Sequence, residues 1–210
     1  MEHRRSARID RRRLLGRGAA AAGVGWLGAH TLGVRLPGAL AAEPGGSADG
    51  DAAVLRPALE LELLGMFVCA RLLAGGLLGP AARRLAATIL RHEQVHAHVL
   101  AAELARLGQS PPAAPDTVAA ADHELSEHDA SGRLSAVRRE IGALDLLYEV
   151  EALSIGAYYK ALRNLGDPGL MLVAAEIMGA DAQHASAIGG LLHPGKWDRT
   201  VPVASVEGRH

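Results

Sequence analysis

Two short segments, "EQVH" at residues 93 to 96 and "DAQH" at residues 181 to 184, each place a carboxylate three residues before an imidazole. On an α-helix such positions share a face, so Glu93 with His96, and Asp181 with His184, would offer oxygen and nitrogen donors side by side. That donor pair suits borderline divalent cations. The spacing alone is weak evidence. With 23 acids and 10 histidines in 210 residues, an acid three before a histidine arises about once by chance. Glu207 with His210 is read as one such accident. Weight comes only from what shares the helical faces with these pairs.

Four long segments carry helical periodicity: Leu55 to Leu78, Ala81 to Leu107, Ser135 to Leu165, and a fourth behind Asp167-Pro168 that runs to Leu192. Gly79-Pro80, Gly108 with "SPPAAP", and Gly166 mark the stops. Asp167 followed by Pro168 is a cap with proline in the first turn. Between the second and third segments, "DTVAAADHELSEHDASG" predicts a short polar helix inside a long crossover. "EPGGSADGDA" reads as a linker, within a boundary of residues 42–53, and the tail 193–210 reads as irregular. A short first connection, a long middle one and a short last one predict an all-α four-helix bundle over 54–192. The crossover would let helices two and three run alongside each other in parallel.

The apolar stripes of these helices contain acids. Leu55, Leu59, Glu62, Met66, Cys69 and Leu73 line up on the first; Ile89, Glu93, His96 and Leu100 on the second. The third presents Leu144, Leu147, Glu151, Ile155, Tyr158 and Leu162, and the fourth Leu170, Val173, Ile177, Asp181, His184 and Ile188. Glu149 points roughly 160° from its stripe and Glu176 roughly 140° from Asp181, at about 100° per residue. Glu60 is the stand-in for Glu62 if the first helix is rotated, and Glu149 the less favoured one for Glu151. His92, His98, His123 and His128 are expected at the solvated surface, and Cys69 as a small apolar core group. Each helix thus turns a carboxylate inward, where an isolated charge is strongly unfavourable. Two divalent cations would neutralise four carboxylates directly. A metal-free core network of hydrogen-bonded acids and histidines is the competing reading.

Composition bounds the rest. The chain is 49% apolar, 21% charged and only 3% aromatic, which suits one domain of close-packed helices. Cys69 is the single cysteine, so no internal disulfide is expected. Residues 1–41 read as an export signal: Arg11, Arg12, Arg13, Leu14 and Leu15, then a Gly- and Ala-rich apolar run, then "ALAAE" with small residues before a cleavage site after Ala41. The pattern resembles a twin-arginine signal, and a membrane association is expected only through an uncleaved signal. The signal's arginines outnumber its two acids, Glu2 and Asp10, so the remainder is acidic. That argues against nucleic acid or an anionic membrane as partner.

The inward acids resemble the ferritin-like di-iron carboxylate pattern, a Glu from each of two helices and a Glu-x-x-His from each of the others. "LYEVEALSIGAYYKAL" and "AEIMGADAQHASAI" are similar to bacterial ferritin-like domain proteins, including desiccation-related and twin-arginine-exported ones. The resemblance covers about residues 53–192. It implies Glu62 and Glu151 as terminal ligands, Glu93 and Asp181 as bridges, and His96 and His184 as one ligand to each metal. The metals would be two Fe, alternatively Mn, with O2 or peroxide as reaction partner. Asp181 departs from the family's usual Glu and sits one methylene closer to the backbone. Tyr158 is a candidate outer partner of the site. There is no Cys-x-x-Cys pair for a rubredoxin-type iron centre. A closed storage shell is not expected, whereas a homodimer is compatible with the sequence.

Overall fold

The computed structural model describes residues 47–200. The expected export signal, the first part of the linker and the end of the tail lie outside the described residues. Helix α1 spans Ala48–Ala74, α2 Pro80–Arg106, α3 Val118–Glu127, α4 Glu140–Asn164, α5 Pro168–Leu192, and α6 is the short Trp197–Thr200. No strand occurs among the described residues.

α1 begins at Ala48, well before the expected Leu55, so residues 48–53 are helix and not linker. "SADGD" is polar because it caps. Ser47 Oγ accepts from Gly50 N at 3.1 Å, and Asp49 and Asp51 face the positive end of the helix. Asp51 is also buried, and its carboxylate accepts from Gly166 N at 2.7 Å and Asp167 N at 3.1 Å. This clamp ties the first turn of α1 to the corner between α4 and α5. Pro57 lies on the exposed side of α1, where water can reach the carbonyl its missing N–H leaves free. Gly76, at φ +71°, ends the helix before the expected Leu78.

α4 starts at Glu140 and not at Ser135. Leu134–Ala136 form a 3₁₀ turn instead. Asp122 holds it, accepting from Leu134 N at 2.6 Å. The short polar helix in the crossover is α3, capped by Thr117 Oγ1, which accepts from Ala120 N at 3.1 Å. Asp167 Oδ1 caps α5, accepting from Gly169 N at 2.7 Å.

End-to-end bonds fix the directions. Gly79 N, before α2, donates to Glu140 at the start of α4 at 3.0 Å, so these two helices begin at one end and run in parallel. Arg106, closing α2, bonds Asp167, opening α5, at 3.3 Å, so that pair is antiparallel. α1 packs on α2 and on α4, α4 on α5, and α5 on α2. Helices two and three of the bundle therefore stand on a diagonal, which corrects the expectation that they lie alongside each other. The crossover spans the bundle's length and packs α3 on α1.

Buried apolar side chains divide into two clusters. One gathers Leu64, Val68, Ile89, Leu125, Leu147 and Ile188 among others. The other gathers Leu55, Leu59, Leu100, Leu104, Tyr158 and Leu170. Between them, in all four long helices, lie the inward acids.

Replacing Asp51 by Ala would leave two N–H groups at the α4–α5 corner without their partner. The expected loss is about 2 kcal/mol of unfolding free energy, read from the midpoint of urea unfolding, with Asp51→Asn losing less.

Candidate metal centre

Periodicity delivers each polar side chain to the same level. Glu62 comes from α1, Glu93 and His96 from α2, Glu151 from α4, and Asp181 and His184 from α5. All six are buried, Glu62 and Asp181 completely. The structure brings together every residue of the expected set. It leaves out both stand-ins. Glu149 turns outward and accepts from Ser131 N at 2.6 Å and Gly132 N at 2.8 Å, closing the crossover onto α4. Glu60 is only half-buried and lies on the side of Glu124.

The donor atoms form two overlapping groups. Glu62, Glu93, His96 and Asp181 offer one set of atoms within 4.8 Å of one another, and Glu93, Glu151, Asp181 and His184 offer a second. Glu93 and Asp181 belong to both. His96 Nδ1 lies 3.3 Å from Glu62, 3.8 Å from Glu93 and 3.5 Å from Asp181. His184 Nδ1 lies 3.2 Å from Glu93, 3.3 Å from Glu151 and 3.9 Å from Asp181. Both imidazoles thus aim Nδ1 at the centre. Asp181, despite its shorter side chain, reaches both groups from the middle of α5.

Several of these oxygens have no hydrogen-bond donor. Glu93 Oε1 and both oxygens of Asp181 are buried without one among the described residues. Glu93 Oε1 is close enough to His184 Nδ1 for an ion pair, but no hydrogen bond forms there. Buried polar atoms rarely stay so. A divalent cation could supply what is missing, since carboxylate oxygen with imidazole nitrogen and no thiolate is a donor set that accepts such ions. The residues present fit such ions.

Tyr158, on α4 and fully buried, donates from Oη to Glu62 Oε1 at 2.5 Å. It fixes one carboxylate oxygen while Glu62 Oε2 faces His96. Burial, then the negative charges of Glu62 and Asp181, push the Tyr158 phenol well above its ordinary range, so it remains a donor. Cys69 is buried in the neighbouring apolar cluster, and burial raises its thiol as well.

His92 corrects the expectation of a purely solvated side chain. The residue is exposed, yet its Nδ1 lies 2.8 Å from His184 Nε2, and the rings stack with centroids 5.1 Å apart. The signal was present in the sequence. His92 and His96 are four apart, so about 40° separates them around α2. His98 and His123 are exposed and His128 half-buried.

The electrostatics follow from crowding. Two carboxylates about 4 Å apart repel by about 4 kcal/mol at an effective dielectric near 20, so protons must enter when cations do not. Burial, then the other carboxylates, push Asp181 well above its ordinary range. Burial and Glu93 do the same to Glu62. Burial carries Glu151 up to about 7 against the pull of His184. Burial opposes ionisation of Glu93 too, but its contacts with Glu62, His184 and His96 win and hold it ionised. Burial disfavours both imidazolium ions. Glu62 and Glu93 nevertheless lift His96 to about 9, and Glu151 and Glu93 lift His184 to about 9.

The model of the ferritin-like domain matches residues 50–194. The chain belongs to the ferritin-like domain family. That match takes in α1 from residue 50, the whole of α2, α4 and α5, and the six inward ligand-type side chains. No curated protein matches the chain.

The raised groups set a pH dependence for the metal-free ferritin-like domain. An imidazole lifted from about 6.5 unfolded to about 9 folded stabilises fully below 6.5 and loses that contribution as pH rises through 9. Raised carboxyls act in the same direction, because the fold binds their protons more tightly. Chelator-treated protein is therefore expected to melt lower at pH 9.5 than at pH 6 in a calorimetric scan. Equal or reversed melting points would contradict this charge assignment.

Proposed function

We propose that this chain is an exported ferritin-like protein whose buried layer holds two Fe or Mn ions and serves O2- or peroxide-linked oxidation or ferroxidase chemistry. The observation that carries the reading is the pair of donor groups sharing Glu93 and Asp181, where Glu93 Oε1 and both Asp181 oxygens lack hydrogen-bond donors among the described residues. Glu62 with His96 would complete one position, and Glu151 with His184 the other. Held by these residues, two redox-active ions would supply electrons in pairs for O2 or peroxide reduction.

The chain's own groups have definable tasks. Glu93 and Asp181 hold the two positions together, and Tyr158 orients Glu62 through its 2.5 Å bond. The apolar clusters on either side exclude water, which strengthens every charge interaction between them. The carboxylates beside His96 and His184 favour the protonated imidazoles, so metal binding there would displace protons.

Export rests on the sequence of residues 1–41, with its arginine cluster, small-residue apolar run and "ALAAE". We place the protein outside the cytoplasm through the twin-arginine route, in the desiccation-related branch of its relatives, as a monomer or homodimer without nucleic acid. A metal-free stress-related module is the second reading. It is supported by the contacts of His96 with Glu62 and of His184 with Glu151, each 3.3 Å, which pair an imidazole with a carboxylate inside the layer.

Metal analysis of protein recovered from its export pathway separates the two readings. About two Fe or Mn per chain is expected, and none after anaerobic Fe(II) addition would leave the module. Replacing His96 and His184 together by Ala should abolish metal retention while far-ultraviolet dichroism stays helical. Unchanged metal content would remove both imidazoles from the site.

A further inference from the structure

His184 uses its two ring nitrogens differently. Nδ1 turns inward to Glu93 at 3.2 Å and Glu151 at 3.3 Å. Nε2 turns outward to His92 Nδ1 at 2.8 Å. An imidazole that gives Nδ1 to a cation must keep its remaining proton on Nε2, and an acceptor placed there fixes both tautomer and ring angle. His92 Nδ1 is such an acceptor when His92 carries its own proton on Nε2. The arrangement is one-sided. His96 bonds Glu62 through Nδ1, and among the described residues no side chain holds its Nε2.

We propose that His92 is a positioning residue that locks His184 with Nδ1 inward, so that one of the two metal positions, the one built from Glu93, Glu151, Asp181 and His184, is the more rigidly prepared. The consequence for metal rests on the di-metal reading; the hydrogen bond itself does not. His92 is exposed, so replacing it removes little packing. It follows Arg91 in a helix held by other contacts, chiefly with α1 and α5.

The test compares His92→Leu, which has no acceptor, with His92→Asn, whose carbonyl oxygen can stand near the place of Nδ1. Anaerobic titration with Fe(II) alone should show two binding steps in the wild type. His92→Leu is expected to weaken one step about 10- to 100-fold and leave the other unchanged, and His92→Asn to restore most of the loss. Two unchanged steps in His92→Leu, or equal weakening of both, would overturn the proposal. Nitrogen-15 spectra of ring-labelled, metal-free protein give the second readout. A protected His184 Nε2–H should appear in the wild type and His92→Asn and vanish in His92→Leu. Its absence from the wild type would overturn the proposal. If the wild type takes up no iron at all, the di-metal reading falls, and these spectra still decide whether His92 orients His184.

Discussion

Four carboxylates share one buried layer of this bundle, and their mutual repulsion is the constraint to which the rest of the structure answers. Glu62, Glu93, Glu151 and Asp181 come from four different helices and are all at most 4% exposed. No apolar packing compensates such a cluster, because burial itself disfavours every ionised form. Compensation has to come from positive charge, carried either by protons and imidazolium or by cations. The two apolar clusters on either side of the layer make the problem sharper by keeping water out. They also hold the helices in the register that creates it.

The polar devices at the ends of the helices serve that register. Asp51 clamps the start of α1 to the α4–α5 corner, Glu140 joins the starts of α2 and α4, and Arg106 links the end of α2 to Asp167. These bonds lie at the helix ends, several turns along each helix from the inward acids. Each sets how far one helix slides along another. A slide of a single residue, about 1.5 Å, would turn a shared carboxylate into one that reaches a single group. Glu149 and Asp122 do similar work for the crossover, which has to travel the bundle's length without entering it.

Asp181 shows how position can replace side-chain length. It has one methylene fewer than glutamate, yet its Oδ1 lies 3.5 Å from His96 Nδ1 and 3.9 Å from His184 Nδ1. The helix carrying it packs on α4 and on α2, so the backbone supplies the reach that the side chain lacks. Tyr158 answers the same crowding differently, donating to one oxygen of Glu62 so that the other is left facing the centre.

The sequence by itself determined which side chains turn inward. A rotation near 100° per residue is a local property, so Glu62, Glu93, His96, Glu151, Asp181 and His184 could be placed on buried faces from spacing alone, and Glu149 away from them. It also determined the all-helical class, because small and straight apolar residues recur at helical period between glycine and proline stops. The start of α1 was hidden. "SADGD" has the composition of a linker, and only the distant corner at Gly166 makes Asp51 a buried anchor. The family resemblance already pointed to Glu93 and Asp181 as the shared pair, whereas tertiary structure alone decided that Tyr158 meets Glu62, that His92 meets His184, and that α2 and α4 stand diagonally. Those outcomes depend on axial register and on the rotation of one helix against its neighbour. Both are fixed by contacts between residues far apart in the chain, and no periodicity within a single helix encodes them.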